Sequence, residues 1–100
     1  DLGSEQTVSA LEYWFRDHSS YVYDTKGMEV YAAESADYSD PASIQLDGLR
    51  YLGFYEKASG NNNRMGVIEF PEVTTQYIVI RYTSSNRGNS INCCEMRLWN

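Results

Sequence analysis

Cysteine, proline and histidine are scarce in this chain of 100 residues, which has two, two and one of them respectively. The two cysteines, Cys93 and Cys94, are adjacent, so the chain lacks the spaced framework of a disulfide-stabilised fold. One histidine and one cysteine pair do not form a zinc-ligand set, and the loop acids Asp37, Asp40 and Asp47 lack the spacing of a calcium loop. The sequence therefore predicts no metal ion and no cofactor.

Long apolar runs and basic clusters are also missing. No apolar run approaches the roughly 20 residues that a membrane-spanning helix needs. Eight scattered basic residues against 14 acidic ones give a formal net charge of −6. Nucleic acid and anionic membrane surfaces would be repelled by that charge. We therefore expect a neutral or weakly acidic ligand, no nucleic-acid partner and no membrane insertion.

Aromatic residues are plentiful, and nine of the fourteen are tyrosines, which suits strands and polar binding surfaces. Apolar and polar residues alternate with a period of two in several segments, which is the pattern of half-buried strands. The inward positions predicted from this alternation are Leu11, Tyr13 and Phe15; Met28, Val30 and Ala32; and Cys94, Met96 and Leu98. The run from Tyr77 to Tyr82 is rich in β-branched residues and predicts a further strand.

Turn signals separate these segments. They are Ser39-Asp40-Pro41, Asp47-Gly48 and the run from Ser59 to Asn63. Two more strands are expected near residues 51–57 and 65–70, with Pro71 ending the second because proline cannot donate to a strand ladder. Short strands separated by frequent turns predict one all-β domain over residues 1–100, an antiparallel β-sandwich or barrel.

Four segments together resemble the coagulation factor V/VIII type C (discoidin-like) domains, in the style of the family 32 carbohydrate-binding modules. They are Asp1-Leu2-Gly3 continuing to Arg16, Gly27 to Ser35, Gln76 to Tyr82, and Asn92 to Trp99, in the order and at about the spacing of that family. The resemblance implies a discoidin-like, galactose-binding-domain-like jelly roll with ligand loops gathered at one end. It also implies a secreted, lectin-like role.

The family's N-terminal segment, which carries one or more early strands and often a calcium loop, has no counterpart before Asp1. A sandwich without its first strand would expose an open sheet edge. Three explanations stay open: the segment is a separate chain, a second copy pairs along the edge, or the domain is a compact variant. A family-type calcium site would need the missing segment.

Candidate ligand residues lie in two predicted loops, which in the resembled modules face the ligand. Sugar binding needs planar side chains against a pyranose ring and groups that bond its hydroxyls. Arg16 occupies the position of the family's hydroxyl-binding arginine, and its fork of donors could bind two adjacent hydroxyls. The other predicted carbohydrate-binding residues are His18, Tyr21, Tyr23 and Trp14 around the first loop, and Asn86, Arg87 and Asn89 in the second.

The cysteine pair allows three interpretations. Successive strand residues face opposite sides, so Cys94 is expected in the core, as a buried thiol or one whose partner lay in the missing segment. A vicinal disulfide is the second interpretation. The third, a catalytic cysteine paired with His18, lacks a readable orienting group or oxyanion site.

These observations favour a non-catalytic carbohydrate-binding module that is secreted or extracellular. The alternative is a protein–protein interaction or assembly module that uses its open sheet edge, with a second chain or copy completing the sandwich. Phospholipid binding would need apolar spikes ringed by basic residues, which the charge and the polar loops argue against. A small hydrolase is not indicated, because no pair of acids stands out.

Overall fold

The computed structural model describes residues 1–15, 25–57, 64–86 and 91–100. Within these ranges the chain forms strands without any helix. The strands are β1 (Gln6–Trp14), β2 (Thr25–Ala33), β3 (Ser35–Asp37), β4 (Gln45–Asp47), β5 (Arg50–Glu56), β6 (Met65–Thr75), β7 (Tyr77–Ser85) and β8 (Glu95–Trp99). No described segment is a helix with the length and apolar character that crossing a bilayer requires.

Six of the strands form two antiparallel sheets of three. In the first sheet β1 lies between β6 and β8, and in the second β2 lies between β5 and β7. The short strands β3 and β4 pair with each other as a separate hairpin. Side chains of both larger sheets share one apolar core, so the sheets form a two-layer, sandwich-like arrangement. The prediction of an all-β, antiparallel domain is confirmed.

The two central strands bury the residues that the alternation predicted. Leu11, Tyr13 and Phe15 are at most 1% exposed, and Met28 and Val30 are fully buried. Each of these strands has neighbours on both sides, and its inward face meets the opposite sheet. Burial of one face of a pleated strand requires a period of two, which explains why the sequence pattern was sufficient here.

Pro71 does not end a strand, contrary to the prediction. It lies exposed within β6, at the irregularity where residues 70–72 oppose Ser9 between the pairs Val8↔Val73 and Ala10↔Glu69. β6 is an outer strand of its sheet, and a residue in a bulge needs no ladder hydrogen bond. A proline is therefore tolerated at this point without interrupting the strand.

The β3–β4 hairpin was not predicted, although the turns on either side of β4 were. Asp40 Oδ1 accepts a hydrogen bond from the Ala42 backbone N at 3.0 Å, which fixes the turn at Pro41. After β4 the chain reverses at Gly48, whose φ of 63° lies in the left-handed region that favours glycine. The strands of the hairpin have three residues each, too few for an alternation to be recognised in the sequence.

Candidate functional site

One end of the two-layer arrangement collects three connections that pass from one sheet to the other. The strands β1, β5 and β7 end there, and the strands β2, β6 and β8 begin there. In the first sheet Trp14 pairs with Met65 and Glu95 at this end. In the second sheet Thr25 pairs with Ser85. We call this the loop end and define it by the described residues 14–15, 25, 57, 64, 86 and 91–94. Connections carried on the ends of paired strands are a common position for ligand contacts.

A buried set of hydroxyl groups joins the strands at the loop end. Tyr13 Oη donates a hydrogen bond to the backbone O of Asn92 at 2.6 Å and lies 2.8 Å from Tyr82 Oη. Thr25 Oγ1 donates to the same Asn92 O at 3.0 Å and accepts from Asn92 N at 2.9 Å. Tyr13 and Thr25 are fully buried, so these bonds fix the segment before β8 against both sheets.

Burial has a clear electrostatic effect on this set. It raises the pKa of Tyr13, and the hydrogen bond with Tyr82 adds to the effect. The pKa of Tyr82 is raised as well, again chiefly by burial. Both phenols therefore stay protonated through the neutral range and act as neutral hydrogen-bonding groups.

Lys57 lies beneath the loop end, directly after β5. It is fully buried, and its Nζ lies 3.8 Å from the centroid of the Phe15 ring, a cation–π contact between the two sheets. Burial lowers the pKa of Lys57 to about 8. Backbone hydrogen bonds hold each partner within its own sheet, since Lys57 N donates to Lys26 O at 2.6 Å and Phe15 N donates to Arg64 O at 2.8 Å.

Trp14 lies at the border of the loop end, on the outer face of the β6–β1–β8 sheet. It alternates with the buried Tyr13 and Phe15, and its indole N–H donates to Glu12 Oε1. The Arg97 guanidinium carbon lies 6.0 Å from the indole centroid, and Arg97 is held by Glu95 through bonds of 3.0 and 3.2 Å. The indole is half-buried and stands beside two carboxylates and a guanidinium, the groups that recognise sugar hydroxyls.

Asn86 lies at the same end and is half-buried. Its side-chain Nδ2 is 3.5 Å from the backbone O of Lys57, so the amide contacts the end of β5. Of the predicted carbohydrate-binding residues, Trp14 and Asn86 are thus both carried by strand ends at the loop end. Arg16, His18, Tyr21, Tyr23, Arg87 and Asn89 lie outside the described residues.

The prediction of a buried Cys94 is wrong, because Cys93 and Cys94 are both exposed and both are free thiols. The residues precede β8 rather than belonging to it, so the alternation read for that strand does not extend to them. The Cys94 backbone N donates to Trp14 O at 2.7 Å, while Cys93 Sγ lies 3.6 Å from Glu95 O. Desolvation near the sulfur raises the pKa of the Cys93 thiol, which disfavours the thiolate that a nucleophile requires.

Thr25, Lys57 and Asn92 were not predicted, although each shapes the loop end. For Lys57 a signal was present, since the period of two that places Tyr55 inward places residue 57 inward as well. Thr25 and Asn92 gave no such signal, because they act through a hydroxyl and a backbone carbonyl. Within the described ranges no three histidine, cysteine, aspartate or glutamate side chains lie close enough to hold a metal ion.

Comparison with known proteins gives no match: no family model fits the chain, and no curated protein and no solved structure is significantly similar to it.

Proposed function

We propose that this domain is a non-catalytic carbohydrate-binding module that holds a neutral glycan at the loop end. In this proposal the fold is a discoidin-like jelly roll and the domain acts outside the cell. The supporting observation is the convergence of three sheet-to-sheet connections on one end, above strand ends fixed by the Tyr13–Asn92–Thr25 hydrogen bonds. Rigid strand ends give a binding surface that loses little entropy when the ligand arrives.

The charge distribution supports a neutral ligand. The formal net charge is −6, and the charged side chains around Trp14 already pair with one another, as in the Arg97–Glu95 contact. The Arg97 guanidinium offsets one of the two nearby carboxylates, and these groups retain donors and acceptors for hydroxyl groups. Indole surfaces bind the apolar face of a pyranose, which makes Trp14 the described residue best suited to border the ligand.

The test is a glycan array followed by calorimetry on the best ligand, with a matched pair of tryptophan variants. We expect a Kd of about 1 μM to 1 mM, because shallow wet sites of this kind bind weakly. Trp14→Ala and Arg16→Ala should each weaken binding about tenfold or more, a loss of about 1.4 kcal/mol. Trp99→Ala is the control, since Trp99 is exposed on the outer face of the same sheet, opposite Ala10 and far from the loop end.

The outcomes separate the alternatives. If Trp99→Ala abolishes binding and Arg16→Ala does not, the ligand binds on the outer face of the β6–β1–β8 sheet and not at the loop end. An array without any ligand, together with a correctly folded protein, would refute glycan binding. Turnover of chromogenic glycosides or esters would contradict the non-catalytic assignment.

A further inference from the structure

The two layers close on each other along β5 and β6 but not along β7 and β8. At Gly66 a Cβ atom would lie 2.6 Å from Tyr55 Cζ, and at Gly53 a Cβ atom would lie 2.9 Å from Ile68 Cγ2, so the backbones there pack against side chains of the opposite sheet. β7 and β8 are outer strands of their sheets, and a crevice of about 560 Å³ opens between them. No described strand pairs with the outer edge of either one.

The crevice is lined by side chains that face the interior. Leu11 of β1, Ile78 and Ile80 of β7, and Met96 and Leu98 of β8 all contribute to its wall. Met96 is 49% exposed although it lies on the inward face of its strand, opposite the buried Tyr13. Part of the core surface is thus accessible between the sheets on this side.

A second apolar crevice, of about 320 Å³, lies along the same edge of β7. It shares Ile78 and Ile80 with the first crevice and adds Tyr77 and Val79, which alternate with them on the other face of β7. Its other wall comes from Ile44 and from Leu46 of β4. Ile44 is 53% exposed and Leu46 is 36% exposed. The free edge of β7 is therefore bordered by apolar surface on both faces of its sheet.

The sequence of β7 is that of an internal strand. Tyr77, Ile78, Val79 and Ile80 are four successive apolar residues, and all four are half-buried whichever face they occupy. Continuous apolar runs are typical of strands that are covered on both faces and paired on both edges. Outer strands are ordinarily protected by charges, prolines or bulges, and none of these interrupts Tyr77 to Ile80.

From these observations we propose that the free edge of β7 accepts an extended segment of another polypeptide as an additional strand. Its alternate side chains enter the two crevices, those on one side meeting Met96 and those on the other meeting Leu46. The segment is apolar on both faces over the stretch that pairs with Tyr77–Ile80. This is strand addition to a sheet edge, a recurring mode of peptide recognition.

The backbone of the edge selects a peptide over a lipid or another apolar molecule. A lipid chain would cover the N–H and C=O groups of β7 without pairing them, which is costly, whereas a strand satisfies them. The charge favours a basic segment over an acidic one, because the chain carries −6 overall. The Asp1 carboxylate at the mouth of both crevices already accepts hydrogen bonds from Gly3 N, Tyr38 Oη and Gln76 Nε2, so the basic residues are placed at the ends of the segment and neither is assigned to Asp1.

The test uses the full chain and a fluorescent peptide of about ten residues, the length that spans β7 at about 3.3 Å per residue. The peptide alternates valine and isoleucine in its centre and carries lysines at both ends. We expect one peptide per protein by native mass spectrometry and saturable binding by anisotropy. Met96→Arg and Leu46→Arg should each weaken binding about tenfold or more, because a buried guanidinium would lie in the crevice.

Trp99→Arg is the matched control, since it introduces the same side chain on the same strand as Met96 but on the outer face, opposite Ala10. It should change the affinity less than about twofold, as expected for a surface substitution away from the contact. Circular dichroism of all three variants establishes that they are folded. Equal losses in Met96→Arg and Trp99→Arg would overturn the proposal.

Two N-methylated peptides test the backbone pairing. Each carries methyl groups on alternate nitrogens, so that only one of them blocks the N–H groups directed at β7. Strong loss of binding for one and retention for the other supports strand addition, and equal behaviour of the two overturns it. A native dimer of the protein that dissociates on Met96→Arg and excludes the peptide would also overturn it, because the edge would then belong to a second copy.

Discussion

At the scale of single residues, Lys57 shows how a polar side chain can be built into the core. Its alkyl stem and ammonium are fully buried, and the ammonium contacts the Phe15 ring rather than water. Loss of hydration disfavours the charged form, which is why the pKa falls to about 8. The residue joins the end of β1 to the end of β5. Its ammonium group loses its proton at a lower pH than the ammonium group of a lysine in water.

The pH dependence of stability follows from that pKa. The unfolded chain holds the Lys57 proton up to a pKa of about 10.4, whereas the folded protein loses it near pH 8, so the unfolded state binds more protons between these values. The Lys57 contribution to the free energy of unfolding should therefore rise from pH 8 towards pH 10. The slope is at most about 1.4 kcal/mol per pH unit.

Lys57→Met tests this by urea unfolding at several pH values from 7 to 9.5. The substitution keeps the length and apolar character of the side chain but removes the titrating group. The difference between the two proteins isolates Lys57, because the cysteine and tyrosine titrations occur in both. Parallel curves for the two proteins across this range would contradict a depressed pKa at Lys57.

The burial of single residues could be predicted from the sequence where the hydrophobicity of the side chain determines it. It could not be predicted where a hydrogen bond to a distant residue determines it. Leu11 and Met28 could be placed in the core because apolar side chains at a period of two need a common buried face. Thr25 could not, because its burial depends on a hydrogen bond with Asn92, which is 67 residues away in the chain. Cys94 was misplaced because the alternation was extended beyond the start of β8.

At the scale of elements, the loop end is held by contacts between strands rather than within them. Tyr13 of β1 and Thr25 of β2 both donate to Asn92 O, and Tyr82 of β7 joins them through its hydrogen bond with Tyr13. The strands themselves were largely predictable, apart from the short β3–β4 hairpin and the passage of β6 through Pro71. The pairing of strands from distant parts of the sequence could not be predicted, because a period of two indicates a strand but not the strands that pair with it.

Removal of the Thr25 hydroxyl should loosen this junction. Thr25→Val is close to isosteric and removes the hydroxyl of a fully buried side chain that accepts from the half-buried Asn92 N at 2.9 Å. We expect the free energy of unfolding to fall by about 1–3 kcal/mol, the usual effect of removing one partner of a buried polar group. Urea denaturation at neutral pH measures the change.

Thr74→Val is the matched control for Thr25→Val. The Thr74 hydroxyl is hydrogen-bonded as well, to the Thr7 hydroxyl at 2.9 Å, but this pair is exposed to water. Its loss should cost less than about 0.5 kcal/mol, because water replaces the missing partner. Equal effects of the two substitutions would show that the buried junction adds no special stability.

At the scale of the whole molecule, net charge and shape both bear on stability. The formal charge of −6 is spread over a chain of only 100 residues, and in the part of the chain that the structure describes a crevice opens between β7 and β8 on one side of the two-layer arrangement. Repulsion among like charges opposes compaction. A partly open core contributes less apolar burial than a closed one to balance that repulsion.

Salt should therefore stabilise the protein. Raising the NaCl concentration from 0.01 to 0.2 M at pH 7.5 shortens the screening length from about 30 Å to below about 10 Å. We expect a Tm that is higher by a few degrees, given that about 1 kcal/mol corresponds to about 4–8 °C in a domain of this size. Differential scanning calorimetry at a fixed protein concentration gives the values.

A double variant provides the control for this prediction. Glu5→Lys and Glu72→Lys replace two exposed acids and bring the net charge closer to zero, so the salt effect should shrink. A Tm that rises equally with salt in both proteins would assign the effect to specific ion binding or to the hydrophobic core rather than to the overall charge.

The strand pairs within the two sheets have a consequence for how this scaffold can change over time. Strand register is set inside each sheet, by pairs such as Leu11↔Ile68 and Val30↔Ile80. We therefore expect insertions and deletions in residues 16–24, 58–63 or 87–90 to leave these pairs and their inward side chains in place. The length of the chain between the paired strands can then diverge while the core is preserved.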